Sequence, residues 1–306
     1  MKFGMSIIVR GDDATPRTFD RMAETAEATA LDSLWSSDHL LMMPTIVSKY
    51  PGTADGQMPE SWKRAYYQPF SVLNYLAGRT KTVRLGTSVL VLPMRNPMEA
   101  AAQVAELDQV SGGRANFGVG VGWFQEEYDA LGYSFARRGK RCNEGLDIAI
   151  RLWRGEPTDH DGDDYSFKGA RLGPRPVQRP HPPIYIGGHS PAALRRTARF
   201  GDVWHPFKVS PEQVASLRPE LERLLAEQGR DAKDFPIAPK VSIVFQDGPA
   251  GDGVPPTHGR PQDIIDSIRR FQDAGATEMC FDIVPETADN AVDTMNRFAN
   301  EVRAKL

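Results

Sequence analysis

The chain has 306 residues, a formal charge of −3, and 40% hydrophobic against 25% charged residues. That is long enough to bury a large core, as one barrel-sized unit or two ordinary ones, and it lacks the basic excess that nucleic-acid binding needs. Cys142 and Cys280 lie far apart without metal or redox spacing, which excludes a disulfide scaffold and suits a reducing, cytoplasmic setting; no apolar run is long enough to cross a bilayer.

Strand and helix signals then alternate along the chain. Residues 1–10 read as a first strand, whose apolar part is too short for a signal peptide. Thr15-Pro16 opens a helix with Phe19, Met22, Ala23 and Ala26 at helical spacing, and residues 31–37 return as a strand ending at Asp38-His39. Residues 40–66 break the rhythm, because Pro44, Pro51, Gly52, Gly56 and Pro59 forbid a long regular element. The aromatics Tyr50, Trp62, Tyr66 and Tyr67 make this segment a lid or pocket wall, since disordered tracts are poor in them. Helices follow over 69–77, from Pro97, over 124–131 and over 140–153, with strands over 83–92 and 115–121. Residues 158–172 read as a hairpin excursion around Asp161-Gly162. A strand over 184–186 and a helix from Pro191 come next, then a short strand at 203–204 and a helix over 211–229. A strand over 237–245, a Gly/Pro-rich loop over 247–256, a helix over 261–274, a strand over 278–284 and a terminal helix over 288–306 complete the pattern.

About eight strand–helix units with near-continuous apolar strands define an α/β chain with a parallel sheet covered on both faces. The expectation is a (β/α)8 TIM-like barrel with its active site at the carboxyl ends of the strands; a doubly wound open sheet is the alternative. No composition break marks a second domain, so residues 1–306 are expected to form one.

Several strand ends carry chemistry. The run Ile184-Tyr185-Ile186 stops at Gly187-Gly188, which permit a sharp turn, and Ser190-Pro191 is a helix-start signature. Free amides at that start, reinforced by the helix dipole, form an anion site, and we read a phosphate cradle; a simple tight connection is the alternative. Asp38-His39 sets a carboxylate beside an imidazole and offers acid–base chemistry, unless Asp38 merely caps a turn. Thr87 and Ser88 are hydroxyls inside an apolar strand. Gly118-Val119-Gly120-Val121-Gly122-Trp123 fails as a dinucleotide fingerprint, because Trp123 stands where the third glycine is needed. Its alternating glycines clear space for a flat group or for a close helix–strand contact. No calcium loop or zinc spacing is complete, so no metal is expected.

In this order, Asp38-His39, Gly86-Thr87-Ser88-Val89, Gly118-x-Gly120-x-Gly122-Trp123 with Glu126-Glu127, and Gly187-Gly188 before a helix ending at Gly201-Asp202 resemble one known family. It is the bacterial-luciferase-like (luciferase-like monooxygenase) flavin and deazaflavin oxidoreductases, and the resemblance spans essentially the whole chain. It implies a homodimeric TIM-like barrel holding coenzyme F420 or FMN. The tricycle would rest against a bulge at Ser88-Val89, where relatives often have a non-prolyl cis peptide, with Val91 nearby. Gly120, Val121 and Gly122 would line the cofactor's chain side, while Gly187, Gly188 and Ser190 would take its phosphate. The Asp38-His39 pair is typical of deazaflavin-using relatives. The implied activity is therefore hydride transfer between F420 and a small organic substrate, with Asp38 and His39 holding the cofactor face and acting as acid and base. A monooxygenase using reduced FMN and oxygen is the alternative, and a non-catalytic cofactor-binding barrel is a third reading. Trp123 replaces the glutamate of the family's deazaflavin sugar-phosphate dehydrogenases, which implies an apolar pocket walled by Trp35, Trp62, Tyr66 and Trp123. Neither nucleic acid nor membrane is an expected partner.

Overall fold

The computed structural model describes residues 1–53, 55–64, 66–248 and 255–306. Ala54 and Ala65 of the expected lid, and 249–254 of the expected Gly/Pro-rich loop, lie outside the described residues.

The first half of the chain comprises β1 (Lys2–Ser6), α1 (Pro16–Ala28), β2 (Ser33–Ser36), α2 (Pro69–Ala77), β3 (Arg84–Thr87), β4 (Leu90–Val91), α3 (Pro97–Val110), β5 (Ala115–Gly120), α4 (Gln125–Ala130) and α5 (Arg138–Arg154). The second half comprises β6 (Thr158–Asp161), β7 (Ser166–Ala170), β8 (Ile184–Gly187), α6 (Pro191–Phe200), β9 (Val203–His205), α7 (Pro211–Glu227), β10 (Lys240–Phe245), β11 (His258–Gly259), α8 (Pro261–Asp273), β12 (Glu278–Ile283) and α9 (Ala288–Arg297). Helix starts are set locally. Six helices begin on proline, whose fixed φ and missing N–H suit the first helical position. Hydroxyls cap several of them: Thr15 Oγ1 accepts from Thr18 N at 3.2 Å, and Ser190 Oγ from Ala193 N at 3.3 Å.

The strands run in the order β11-β10-β12-β1-β2-β3-β5-β8-β9, with β4 added beside β5, and every pairing among them is parallel. The sheet curls until its ends meet: parallel bridges Trp204↔Ile237 and Phe207↔Lys240 join the β9 strand to the approach to β10. Outside it, α1, α2, α3, α5, α6, α7 and α8 pack each on the next, and α9 packs on α1. Among the described residues no helix is long and apolar enough to cross a membrane.

Strand alternation sorts side chains into two layers. Leu34, Ile184, Ile186, Met279 and Phe281 face outward into the main core under the helices, while Trp35, Tyr185, Val203, Ala238 and Cys280 cluster inside the curl. Trp35 is the plug of that interior. Its indole fills the places where β-carbons on Gly4 and Gly86 would sit, at 2.4 and 2.5 Å, and its Nε1 donates to Ser33 Oγ at 2.7 Å. Volume explains both glycines here.

Two boundaries differ from the sequence reading and one agrees with it. The strand expected over 83–92 is split into β3 and β4 at Ser88-Val89, whose peptide is cis. The excursion is an antiparallel pair, β6 with β7, whose turn at 162–165 begins at the expected Asp161-Gly162 and runs on to Tyr165. The terminal helix stops at Arg297 and continues as a π turn, Phe298–Val302, and a 3-10 turn, Arg303–Lys305.

Candidate active site

The carboxyl ends of the strands open on a cavity of about 270 Å³, close to the lower end of the range for small-molecule sites. One wall carries Asp38, His39 and Glu127, and the floor carries Ser88, Val89 and Val91. A second wall carries Gly120, Val121, Gly122, Gly187 and Gly188, and the far side carries Arg10, Lys240, Asp282 and Glu286.

His39 is oriented by a residue to which the sequence reading gave no role. Its Nδ1 lies 2.8 Å from Oε2 of Glu127, whose Oε1 accepts from the Leu40 and Leu41 amides at 2.6 and 3.1 Å. An ionised carboxylate only accepts, so Nδ1 carries the hydrogen and the neutral ring keeps its lone pair on Nε2. Nε2 has no hydrogen-bond partner among the described residues. Aromatic rings enclose the imidazole, with Tyr66, Phe124 and Trp123 at 5.0, 5.8 and 6.1 Å.

Asp38 does not pair with His39 as the adjacency suggested. Its Oδ2 accepts from Val91 N at 2.8 Å and its Oδ1 from Arg95 at 2.7 Å, so the buried carboxylate ties β4 and Arg95 to the end of β2. Burial pushes its carboxyl above the ordinary range, against the pull of Arg95 and the Val91 amide. Both oxygens are committed, which makes Asp38 an anchor between the end of β2, β4 and Arg95.

Ser88 is held from three directions. Its amide donates to Ser36 O at 2.7 Å, its carbonyl accepts from Lys240 Nζ at 3.1 Å, and its hydroxyl lies 2.8 Å from His205 Nε2. His205 Nδ1 must donate to Ala238 O at 2.6 Å, so Nε2 accepts and Ser88 is the donor. Burial and the nearby Lys240 charge push the His205 pKa down to about 4, keeping the ring neutral. Lys240 is paired with Asp282 at 3.1 Å, and Ser6 donates to the same carboxylate at 2.7 Å. Burial alone would raise the Asp282 carboxyl; Lys240 and Ser6 prevail and hold it low.

The alternating glycines serve strand contact. A β-carbon on Gly118 would lie 1.8 Å from Thr87 O, and those on Gly120 and Gly187 would meet Val89 at 2.6 and 2.9 Å. The bulge thereby presses Val89 between β5 and β8, where it forms an apolar floor. Gly188 differs: at φ +96° a β-carbon would meet only Ala193 Cβ at 3.5 Å, while its amide donates to His205 O at 3.3 Å and its carbonyl accepts from Trp204 Nε1 at 2.9 Å. Ser190 is exposed, caps α6, and is not on the cavity wall.

Of the four aromatic residues expected to wall the pocket, Trp62, Tyr66 and Trp123 do so. Trp35 does not: with Gly4 and Gly86 making room for it, it lies beneath the cavity, with its ring stacked on His205 at 5.5 Å. Tyr50, named among the aromatics of the 40–66 segment, is on the wall too, against Trp62 at 5.7 Å and Trp123 at 5.0 Å. The 40–66 segment is tied down on both sides. Glu126 accepts from the Ser48 amide and hydroxyl at 2.9 and 2.6 Å, and Lys208 donates to Gly52 O. Arg10 stacks over Trp62 at 4.1 Å, pairs with Glu286 and donates to Tyr66 Oη at 3.1 Å.

Sequence reading missed Glu127, Arg95, His205, Lys240, Asp282 and Arg10. Glu127 had a signal, an acidic pair just after the glycines; the others are single residues on separate elements. Among the described residues no group of three or more His, Cys, Asp or Glu could hold a metal.

A curled parallel sheet with its cavity at the strand ends is the architecture of barrel-type α/β proteins. Within that class the chain belongs to the luciferase-like monooxygenase family, whose pattern matches residues 1–251. One relative, the 5,10-methylenetetrahydromethanopterin reductase of Archaeoglobus fulgidus, is 29% identical over 217 residues, covering 65% of this chain and 64% of its own. The fold matches the coenzyme F420-dependent tetrahydromethanopterin reductase of Methanopyrus kandleri at TM-score 0.79 and 17% identity, covering 99% of both chains. It also matches the oxygenating constituent of the 3,6-diketocamphane monooxygenase of Pseudomonas putida, solved with FMN, at TM-score 0.78 and 16% identity over 100% and 99% of the chains.

Proposed function

We propose that this chain is an F420-dependent oxidoreductase that moves a hydride between the deazaflavin and a small organic substrate. The observation that carries the reading is the His39–Glu127 pair, which presents an unpartnered imidazole nitrogen on the cavity wall. The family and the reductase relatives support a flavin or deazaflavin cofactor. The curled sheet is read as a (β/α)8 barrel with residues 40–66 as a lid over its mouth.

The residues fit such a group. Val89, pressed between Gly120 and Gly187, gives a flat apolar bed, with Val91 beside it. The turn at Gly187-Gly188, which leads into the α6 start at Ser190, would hold the phosphate. The bound deazaflavin supplies the hydride chemistry; the protein supplies placement and charge. Glu127 fixes the imidazole so that His39 Nε2 can take or return the substrate's proton. Asp38, through Val91 N and Arg95, fixes the strand on which the bed is built. The lid aromatics Tyr50 and Trp62, with Trp123 from the loop after β5, exclude water from the reacting face.

A second reading, a monooxygenase using reduced FMN and oxygen, is favoured by the likeness to the FMN-bound Pseudomonas structure. Oxygen uptake separates the two. With reduced FMN and the protein, uptake is expected to stay at the protein-free rate; protein-dependent uptake overturns the F420 assignment.

A further inference from the structure

The lid side of the cavity holds three donors whose hydrogens no described residue accepts, one of them, Arg10 Nε, fully buried. Arg10, with its side chain 9% exposed, donates one N–H to Tyr66 Oη and another to Glu286, and its buried Nε has no partner. Tyr66 accepts from Arg10, so its own hydroxyl hydrogen is left over, and it finds no acceptor among the described residues. Tyr50 is 6% exposed, lines the same cavity, and its hydroxyl makes no hydrogen bond to a described residue. Burial pushes both phenols upward in pKa, so both keep their hydrogens. The stacking of Arg10 over Trp62 uses the face of the guanidinium and leaves its N–H edge unsatisfied.

A buried donor without an acceptor costs about 1–3 kcal/mol; Arg10 Nε is one, and the Tyr50 and Tyr66 hydroxyls line the same cavity with hydrogens that no described residue accepts. From this we infer that Tyr50, Tyr66 and Arg10 form a recognition site for an uncharged carbonyl oxygen on an apolar substrate. The inference rests on the cavity being the substrate site proposed above and names the substrate's class. The occupant is an acceptor, because Arg10 Nε can only donate, Tyr66 Oη already accepts from Arg10 and has its hydrogen left to give, and Tyr50 Oη can donate alongside them. It is uncharged, because the cavity's two cations are already matched, Arg10 by Glu286 and Lys240 by Asp282. Lys208 is not on the cavity wall. The rest of the occupant is apolar, because Trp62, Trp123, Phe124 and Phe207 complete the wall. The Tyr66 ring stands between the Arg10 guanidinium and the His39 imidazole, 5.3 and 5.0 Å from them. One small molecule can therefore reach both the donor set and His39. Donors aimed at a carbonyl oxygen are also placed to stabilise the charge that grows there when its carbon accepts a hydride.

The test uses the full chain without cofactor, so a wrong cofactor assignment cannot mimic its failure. Calorimetric titration compares acetophenone, ethylbenzene and benzoate, which share one ring and differ in the acceptor. Wild type is expected to bind acetophenone more tightly than ethylbenzene by about tenfold or more, from one or two neutral phenol hydrogen bonds with the guanidinium beside them, and more tightly than benzoate. Tyr66→Phe and Tyr50→Phe keep the rings and so the packing; each is expected to narrow the gap, and the double variant to close it. The inference is overturned if acetophenone fails to bind, if ethylbenzene binds equally well, if benzoate binds most tightly, or if the gap survives in both single variants.

Discussion

Replacing Glu127 by glutamine separates the fold from the chemistry. The carboxylate is 1% exposed and serves three donors: His39 Nδ1 and the Leu40 and Leu41 amides. Glutamine keeps one oxygen, and two amide donors compete for it with one imidazole. The arrangement that wastes least turns the oxygen to Leu40 and Leu41 and the NH2 group to His39. An NH2 group cannot accept, so Nδ1 becomes the acceptor and the ring hydrogen moves to Nε2. The nitrogen facing the cavity then has no lone pair with which to take a proton. A positioned acid–base group contributes about 10²–10⁴-fold, so Glu127→Gln is expected to slow hydride transfer by about 10²-fold or more. Its stability cost is one charge-assisted bond made neutral, about 1 kcal/mol. Glu127→Ala instead strands all three donors at about 1–3 kcal/mol each and loses several kcal/mol in total. Single-turnover absorbance of the cofactor gives the rate and thermal melting gives the stability. A glutamine variant as fast as wild type would refute the tautomer argument.

Other outcomes follow from the same geometry. His39→Ala should slow single-turnover hydride transfer by about 10²-fold; an unchanged rate with weaker cofactor binding would make His39 a positioning residue only. Gly118→Ala should unfold the chain or cost several kcal/mol in a denaturant melt, because its β-carbon would lie 1.8 Å from a backbone oxygen that cannot step aside; an unchanged midpoint would contradict the strand contact. Stability should fall as pH drops from 6.5 toward about 4: the unfolded His205 takes a proton near 6.5, while the folded ring waits until about 4. At about 1.4 kcal/mol per pH unit the loss approaches ~3 kcal/mol. His205→Gln should flatten that slope; a parallel slope in the variant would deny His205 this role.

Local signals made much of the fold legible. Ser190-Pro191 and Thr15-Pro16 announced helix starts because a cap and a proline act within a few residues of each other. Apolar runs such as Ile184–Ile186 announced strands because both faces of the sheet are covered. The split at Ser88-Val89 showed in composition as two hydroxyls in an apolar strand, and its cis peptide came only from family resemblance. The site was legible where it is a motif, at Asp38-His39 and Gly187-Gly188. It was not legible where the curl joins single residues from distant strands. Nothing near Lys240 foretells a bond to Ser88, 152 positions away. Trp35 was misread because alternation decides whether a strand-end indole faces the cavity or the interior, and Gly4 and Gly86, which make room for it inside, lie on other strands.

The central claim is that the bed at Ser88-Val89 and the turn from Gly187 into α6 hold a deazaflavin. Its most direct measurement is the melting temperature of the purified apoprotein titrated with F420 and, in parallel, with FMN. At a hundred times its dissociation constant a ligand stabilises by about 2.7 kcal/mol, a rise of a few degrees for a chain this long. The account predicts that rise with F420 and none with FMN at equal concentration; a rise with FMN alone, or with neither, would contradict it.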